Sequence, residues 1–235
     1  MSLPTHNYQQ FSEQYSQLQI EKTYFLAFRA VAELLAGYEH QGKRVLDFGC
    51  GTGRSTRFLQ NLGLAPVGVD INSSMLRQAQ QFGGDYYLLE SENLPFPRQS
   101  FEIIFQSFVL LEYASTADME ATFQEFHRVL TDNGIIVIVT GSEEYYRHDW
   151  LSFEMGKSAH SSLQSGCKVP VSIRDTEIVL FDYYWTDQDY RQVFQNSGFT
   201  VVKAQYPLAQ GNEPFAWISE CEFPCWTIYM LKKQS

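Results

Sequence analysis

The chain has 235 residues, of which 44% are hydrophobic and 15% aromatic, so it can bury a sizeable core and is not a disordered polymer. Its formal net charge of −10 argues against a general binder of nucleic acid or anionic membranes, because such partners require a basic face. The four cysteines match no zinc-binding spacing, and no apolar stretch approaches the roughly 20 residues of a membrane helix. We therefore expect a cytoplasmic protein with reduced thiols, either a monomer or a homodimer.

The first 140 residues predict an alternation of helices and strands. Residues 1–38 indicate a polar, tyrosine-bearing flap over 1–19 and then a helix, and residues 39–140 indicate the core. Most of the strand-like runs are continuously apolar, as expected for strands covered on both faces, and they lie at 44–48, 66–71, 85–90, 101–108 and 134–140. Helical segments with capping residues and glycine stops separate them. The pattern predicts an α/β fold, a doubly wound and mostly parallel seven-stranded sheet with helices on both faces.

The alternation breaks after residue 140. Residues 141–186 have mixed character and are too numerous for a plain connection, so they predict a cap inserted after the fifth strand. Residues 187–235 predict a last helix and two strands, near 199–206 and 225–232. We expect these parts to form a single domain.

Three glycines directly follow the first predicted strand, in "VLDFGCGTG", where an open parallel sheet binds its ligands. A dinucleotide site would place the third glycine one position later, where Arg54 stands, and Asp47 would repel a pyrophosphate. The spacing favours a ligand with a zwitterionic amino-acid tail. Asp47 is expected to bind its ammonium, and backbone N–H groups around Gly49 and Gly51 its carboxylate.

Together with four later segments, this turn resembles the motifs of class I S-adenosylmethionine-dependent methyltransferases. The later segments are "VGVDINSSML", "LLESENLPFPRQSFEIIF", "FQSFVLLEY" and "FHRVLTDNGIIVIV", in the family's order and spacing from about residue 40 to 140. The resemblance implies S-adenosylmethionine as cofactor. Asp70 matches the acid that binds the ribose hydroxyls, and it stands 19 positions beyond Gly51.

The same resemblance assigns further cofactor contacts. Met75 matches the residue that packs on adenine, although a buried core methionine fits its position equally well. Glu90 matches the acid at the adenine amino group, and Ser91 the neighbour whose backbone touches the ring. Ile71 and Gln106, which stand in the second and fourth motif segments, are the remaining residues of this group predicted to bind the cofactor.

The sequence defines the binding site of the methyl acceptor less well than that of the cofactor. Methyl transfer from a sulfonium depends on the positioning of donor and acceptor more than on a catalytic triad, and the sequence shows no such triad. Glu112 is the one titratable side chain expected to face the methyl group, where it would hold a substrate amine or act as base, unless it is a structural glutamate. Tyr15 is expected to cover the sulfonium, because a ring face suits a desolvated cation. The residues predicted to bind substrate beside Glu112 are Tyr8, Tyr113, Trp185 and Trp217.

The motifs predict methyl transfer to the N, O or C nucleophile of a small molecule, without a metal. Residues 1–19 and 141–186 are expected to close over the cofactor and select that substrate. Two alternatives remain. One is a nucleic-acid or protein methyltransferase on the same fold, and the other is a catalytically silent S-adenosylmethionine-binding protein.

Overall fold

The computed structural model describes residues 8–91, 93–155 and 163–234, with side chains from residue 12 onward. Its centre is a seven-stranded sheet made of β1 (Arg44–Phe48), β2 (Ala65–Asp70), β3 (Asp85–Leu88), β4 (Phe101–Ser107), β5 (Leu130–Gly141), β9 (Phe199–Gln205) and β10 (Trp226–Lys233). The strand order is β3-β2-β1-β4-β5-β10-β9. The first five strands are parallel, and β10 runs antiparallel to both of its neighbours. The predicted fold class is confirmed.

Six α-helices are described: α1 (Tyr8–Ser16), α2 (Thr23–Ala36), α3 (Arg54–Asn61), α4 (Ser73–Gln80), α5 (Thr116–Val129) and α6 (Asp187–Asn196). Apolar side chains of α2 and α3 pack on one face of the sheet, and those of α5 and α6 on the other. Side chains define two of the helix starts. Asn72 accepts hydrogen bonds from the first turn of α4, and Thr186 with Asp189 forms a capping box on α6.

The fifth strand begins earlier than the sequence predicts. Leu130 already pairs with Phe101, and the register then shifts before Ile103 pairs with Ile135. The polar residues 131–133, which precede the predicted strand, therefore lie within an irregular start of β5.

Residues 141–186 contain a second, three-stranded antiparallel sheet. Its strands are β6 (Phe153–Met155), β7 (Lys168–Ile173) and β8 (Val179–Tyr183), and β7 is central. The sequence predicts a cap here but no strands. Pro170, in the middle of β7, masks the pattern because proline is rare in a central strand.

Within the described ranges, no helix has the length and apolar character to cross a bilayer. All four cysteines are free thiols.

Candidate active site

The glycine turn after β1 is anchored to β2. The N–H groups of Gly49 and Cys50 both donate to the carbonyl of Val69, at 2.8 and 3.0 Å. Gly49 and Gly51 have φ angles of +74° and +54°, a region that favours glycine. A Cβ on Gly51 would meet only the Met75 Cε, at 3.4 Å, so this edge of the turn is open. Both glycines line a cavity of about 230 Å³ at the carboxyl ends of the strands.

Asp70 lies at the end of β2 on the same cavity wall. Its Oδ2 accepts a hydrogen bond from the Gly51 N–H and its Oδ1 one from the Asn72 N–H, both at 2.8 Å. Burial raises the pKa of this carboxyl, and the backbone donors act against that shift. The carboxylate thus holds the glycine turn as well as facing the cavity.

The structure separates Glu90 from three other residues predicted to contact the cofactor. Ile71, Met75 and Ser91 line the cavity. Met75 is buried, whereas Ile71 is 38% exposed. Glu90 is exposed and lies outside the cavity wall.

Asp47 is placed behind the glycine turn instead of at the cavity wall. It is fully buried, and its Oδ2 accepts hydrogen bonds from the hydroxyls of Ser55 at 2.7 Å and Thr56 at 2.6 Å. Burial raises its pKa to about 6, against the effect of those two hydroxyls. Its carboxylate therefore supports the first turn of α3. A direct contact with the cofactor's ammonium stays a prediction that this placement disfavours.

Gln106 is also displaced from the wall. It is fully buried on β4 and does not line the cavity. Neither its amide nitrogen nor its amide oxygen has a hydrogen-bond partner among the described residues. Its predicted cofactor contact stays untested.

The far wall of the cavity is aromatic, and most of its rings lie outside the set of residues predicted to bind cofactor or substrate. Tyr15 was expected there, and the other rings come from α2, the segment after β4, the cap and β10: Tyr24, Phe108, Tyr145, Phe153 and Trp226. These rings pack on one another, with centroid distances of 5.1 Å for Tyr24 and Phe153 and 4.9 Å for Phe108 and Trp226. In the sequence they resemble ordinary core residues, so no local signal separated them.

Three ionisable side chains also line the cavity near these rings: Glu112, Asp182 and Arg54. Asp182 lies on β8 of the cap, is 1% exposed, and accepts a hydrogen bond from the Tyr146 hydroxyl at 3.3 Å. Burial, and next the charge of Glu112, raises its pKa well above the usual range. Burial raises the pKa of Tyr15; besides burial, Glu112 and Asp182 contribute to the increase and Arg54 opposes it. Asp182 and Arg54 were not predicted as site residues.

The predicted substrate residues are only partly brought together. Tyr113 lines the cavity, but its hydroxyl is paired with that of Thr122 at 2.8 Å. Trp185 and Trp217 lie outside the cavity wall, and their indole N–H groups donate to the Tyr113 carbonyl and to Glu213. The Tyr8 side chain lies outside the described residues. In the part of the chain described, no group of three or more metal-ligating side chains is found.

Comparison with known proteins gives a family for the core. The family model described as a methyltransferase domain matches residues 45–134. This match confirms the resemblance inferred from the motifs. Family and fold together imply S-adenosylmethionine as cofactor.

Two named relatives are similar to part of the chain. A malonyl-[acyl-carrier protein] O-methyltransferase of Yersinia pestis is 38% identical over 109 residues, which cover 46% of this chain and 40% of that protein. A demethylmenaquinone methyltransferase of Tropheryma whipplei is 35% identical over 101 residues, covering 41% of each chain. The chain thus spans about two fifths of the length of these relatives.

Solved structures match over almost the whole chain. An S-adenosylmethionine-dependent methyltransferase from Clostridium acetobutylicum has a TM-score of 0.65 at 15% identity, with 98% of this chain and 100% of that chain covered. One from Mesorhizobium loti has a TM-score of 0.65 at 20% identity, with 90% and 98% covered. At such low identity these matches show the shared fold.

Proposed function

We propose that this chain, whose residues 45–134 form a class I S-adenosylmethionine-dependent methyltransferase domain, transfers a methyl group from that cofactor to a small aromatic or cationic acceptor. One observation carries the proposal. The open glycine turn and the Asp70 carboxylate meet at one end of a cavity whose other end is aromatic and holds two carboxyl groups, those of Glu112 and Asp182.

The residues at the turn fit the cofactor's functional groups. The two N–H donors fix the Asp70 carboxylate at the cavity edge, where it would accept hydrogen bonds from the ribose hydroxyls. Met75, Ile71 and Ser91 form a neighbouring part of the wall that would receive the adenine. Gly51 leaves space that any side chain would occupy.

When bound, the cofactor supplies a methyl group already activated by its sulfonium. The protein's contribution is then to position the acceptor and exclude water. The ring of Tyr15 would cover the positive charge, since an aromatic face attracts a desolvated cation. Glu112 would hold the nucleophile, and would take up its proton if it arrives protonated.

The far wall favours an acceptor with an aromatic body or a positive charge. Its rings supply apolar surface and faces that attract cations. Asp182, with its raised pKa, would ionise beside an ammonium group and so favour it. The Glu112 carboxylate opposes an anionic acceptor, such as the malonyl group in the name of one relative.

A labelled methyl-donor assay over amines, phenols, carboxylic acids, nucleic acid and protein tests the proposal, alongside calorimetry with S-adenosylhomocysteine. We expect cofactor binding and turnover with an amine or a phenol. Cofactor binding without turnover on any small molecule, nucleic acid or protein would indicate a silent binder. Turnover only with nucleic acid or protein would indicate the macromolecular alternative, and turnover only with acids would contradict the acceptor class.

A further inference from the structure

Arg54 carries an unused hydrogen-bond donor beside the glycine turn. It is the first residue of α3, directly after Gly53, and its side chain lines the cavity. Its guanidinium lies 4.3 Å from the ring centre of Tyr24 and 5.9 Å from that of Phe28. Its Nη1 is buried and has no hydrogen-bond partner among the described residues. A buried, charged donor of this kind is costly unless a ligand satisfies it.

The chemistry of the missing partner follows from the charge. Within the described residues, Arg54 is the single cationic side chain on a wall that also carries Asp70, Glu112 and Asp182. A guanidinium is a planar fork of donors that matches a carboxylate, and a ring beneath it leaves its edge free for such a contact. The cavity therefore has one place suited to an anionic group, next to the turn.

The turn itself has few donors left for that group. The N–H groups of Gly49 and Cys50 donate to Val69, that of Gly53 donates to the Cys50 carbonyl, and that of Gly51 donates to Asp70. The sequence predicted that backbone N–H groups around Gly49 and Gly51 would bind the carboxylate of the ligand's amino-acid tail. Because these N–H groups are already engaged, the carboxylate would need a further donor, and the Arg54 side chain offers one.

We propose that Arg54 binds the carboxylate of the cofactor's methionine tail. The inference rests on the proposed function, since it presupposes this cofactor. It assigns a cofactor-binding role to a residue that the motif comparison passed over as the departure from a dinucleotide pattern.

Calorimetry with two ligands isolates the contact. S-adenosylhomocysteine carries the amino-acid tail, whereas 5′-methylthioadenosine keeps the nucleoside and the thioether without it. Arg54→Gln should weaken binding of S-adenosylhomocysteine about ten- to a hundredfold, the usual loss for a charged hydrogen bond, and change that of 5′-methylthioadenosine less than about twofold. Arg77→Gln, on the exposed face of α4, is the matched control and should alter neither affinity.

The other outcomes overturn the assignment. If Arg54→Gln binds S-adenosylhomocysteine as tightly as the wild type, the Arg54 side chain does not bind the carboxylate of the ligand's amino-acid tail. An equal loss for both ligands would mean that Arg54 shapes the whole cavity and not the tail site. If the wild-type chain binds neither ligand, the proposed function fails, and the role of Arg54 fails with it.

Discussion

The two ends of the cavity are built in different ways. The turn end comes from backbone groups and short side chains within two neighbouring strand–helix connections, around Gly51 and Asp70. The cap end comes from side chains of distant segments, among them Tyr24, Asp182 and Trp226. A backbone-built site accepts little change, whereas a wall of side chains can be altered residue by residue. The difference suggests that the turn end serves a constant cofactor and the cap end a particular acceptor.

The largest effect is expected at the turn. Gly51→Val places a branched side chain at a φ of +54° and into the cavity edge. Cofactor affinity, measured by calorimetry with S-adenosylhomocysteine, should fall by more than about a hundredfold while circular dichroism still reports a folded chain. Gly42→Val is the control, because Gly42 has a φ of +72° and open space around it. Retained binding in Gly51→Val would make the turn purely structural.

A second variant tests Asp47, whose buried carboxylate lies behind the glycine turn. The pKa of Asp47 rises from 3.8 to about 6 in the folded chain, so the folded state keeps a proton that the unfolded state releases between these values. Stability from this group is present below pH 4 and is lost as the pH rises through 6. The free energy of unfolding, relative to Asp47→Asn, should therefore fall by about 2 kcal/mol between pH 4 and pH 7. Parallel pH curves for the two chains would show that Asp47 is not buried as described.

The ribose contact should have a smaller effect on binding. Asp70→Ala removes one charged acceptor, which costs roughly 1.5–3 kcal/mol, or about ten- to a hundredfold in affinity for S-adenosylhomocysteine. Asp85→Ala, at the exposed start of β3, is the control for loss of a surface carboxylate. Unchanged affinity in Asp70→Ala would remove the ribose assignment.

Tyr15 also lines the cavity, and its effect on binding should depend on the cofactor's charge. Tyr15→Ala should weaken S-adenosylmethionine by about 0.5–2 kcal/mol, the range of a cation–π contact, and affect the uncharged S-adenosylhomocysteine less. Tyr15→Phe keeps the ring face and should retain most of the preference. Equal losses for both ligands in Tyr15→Ala would mean that the ring covers no positive charge.

The same contrast explains what the sequence could predict. The sheet, the glycine turn and the position of Asp70 at the end of β2 could be predicted, because continuous apolar strands and fixed local spacings determine them. Asp182 and Trp226 were not, since only tertiary folding brings β8 and β10 to the cavity. The surroundings of Asp47 could not be predicted for a related reason, because its hydrogen bonds with Ser55 and Thr56 depend on how α3 begins. Trp185 and Trp217 show that aromatic character alone does not distinguish a pocket from its surroundings.

The most direct test compares Asp182→Asn with Asp70→Ala in two measurements, affinity for S-adenosylhomocysteine and methyl transfer to the acceptor found in the panel. Asparagine keeps the shape of Asp182 but cannot become a carboxylate beside an ammonium. We predict that Asp182→Asn binds S-adenosylhomocysteine within about twofold of the wild type and transfers methyl groups at least about tenfold more slowly, whereas Asp70→Ala loses affinity. A loss of cofactor affinity in Asp182→Asn as large as in Asp70→Ala, or undiminished methyl transfer, would contradict the division of the cavity into a cofactor end and an acceptor end.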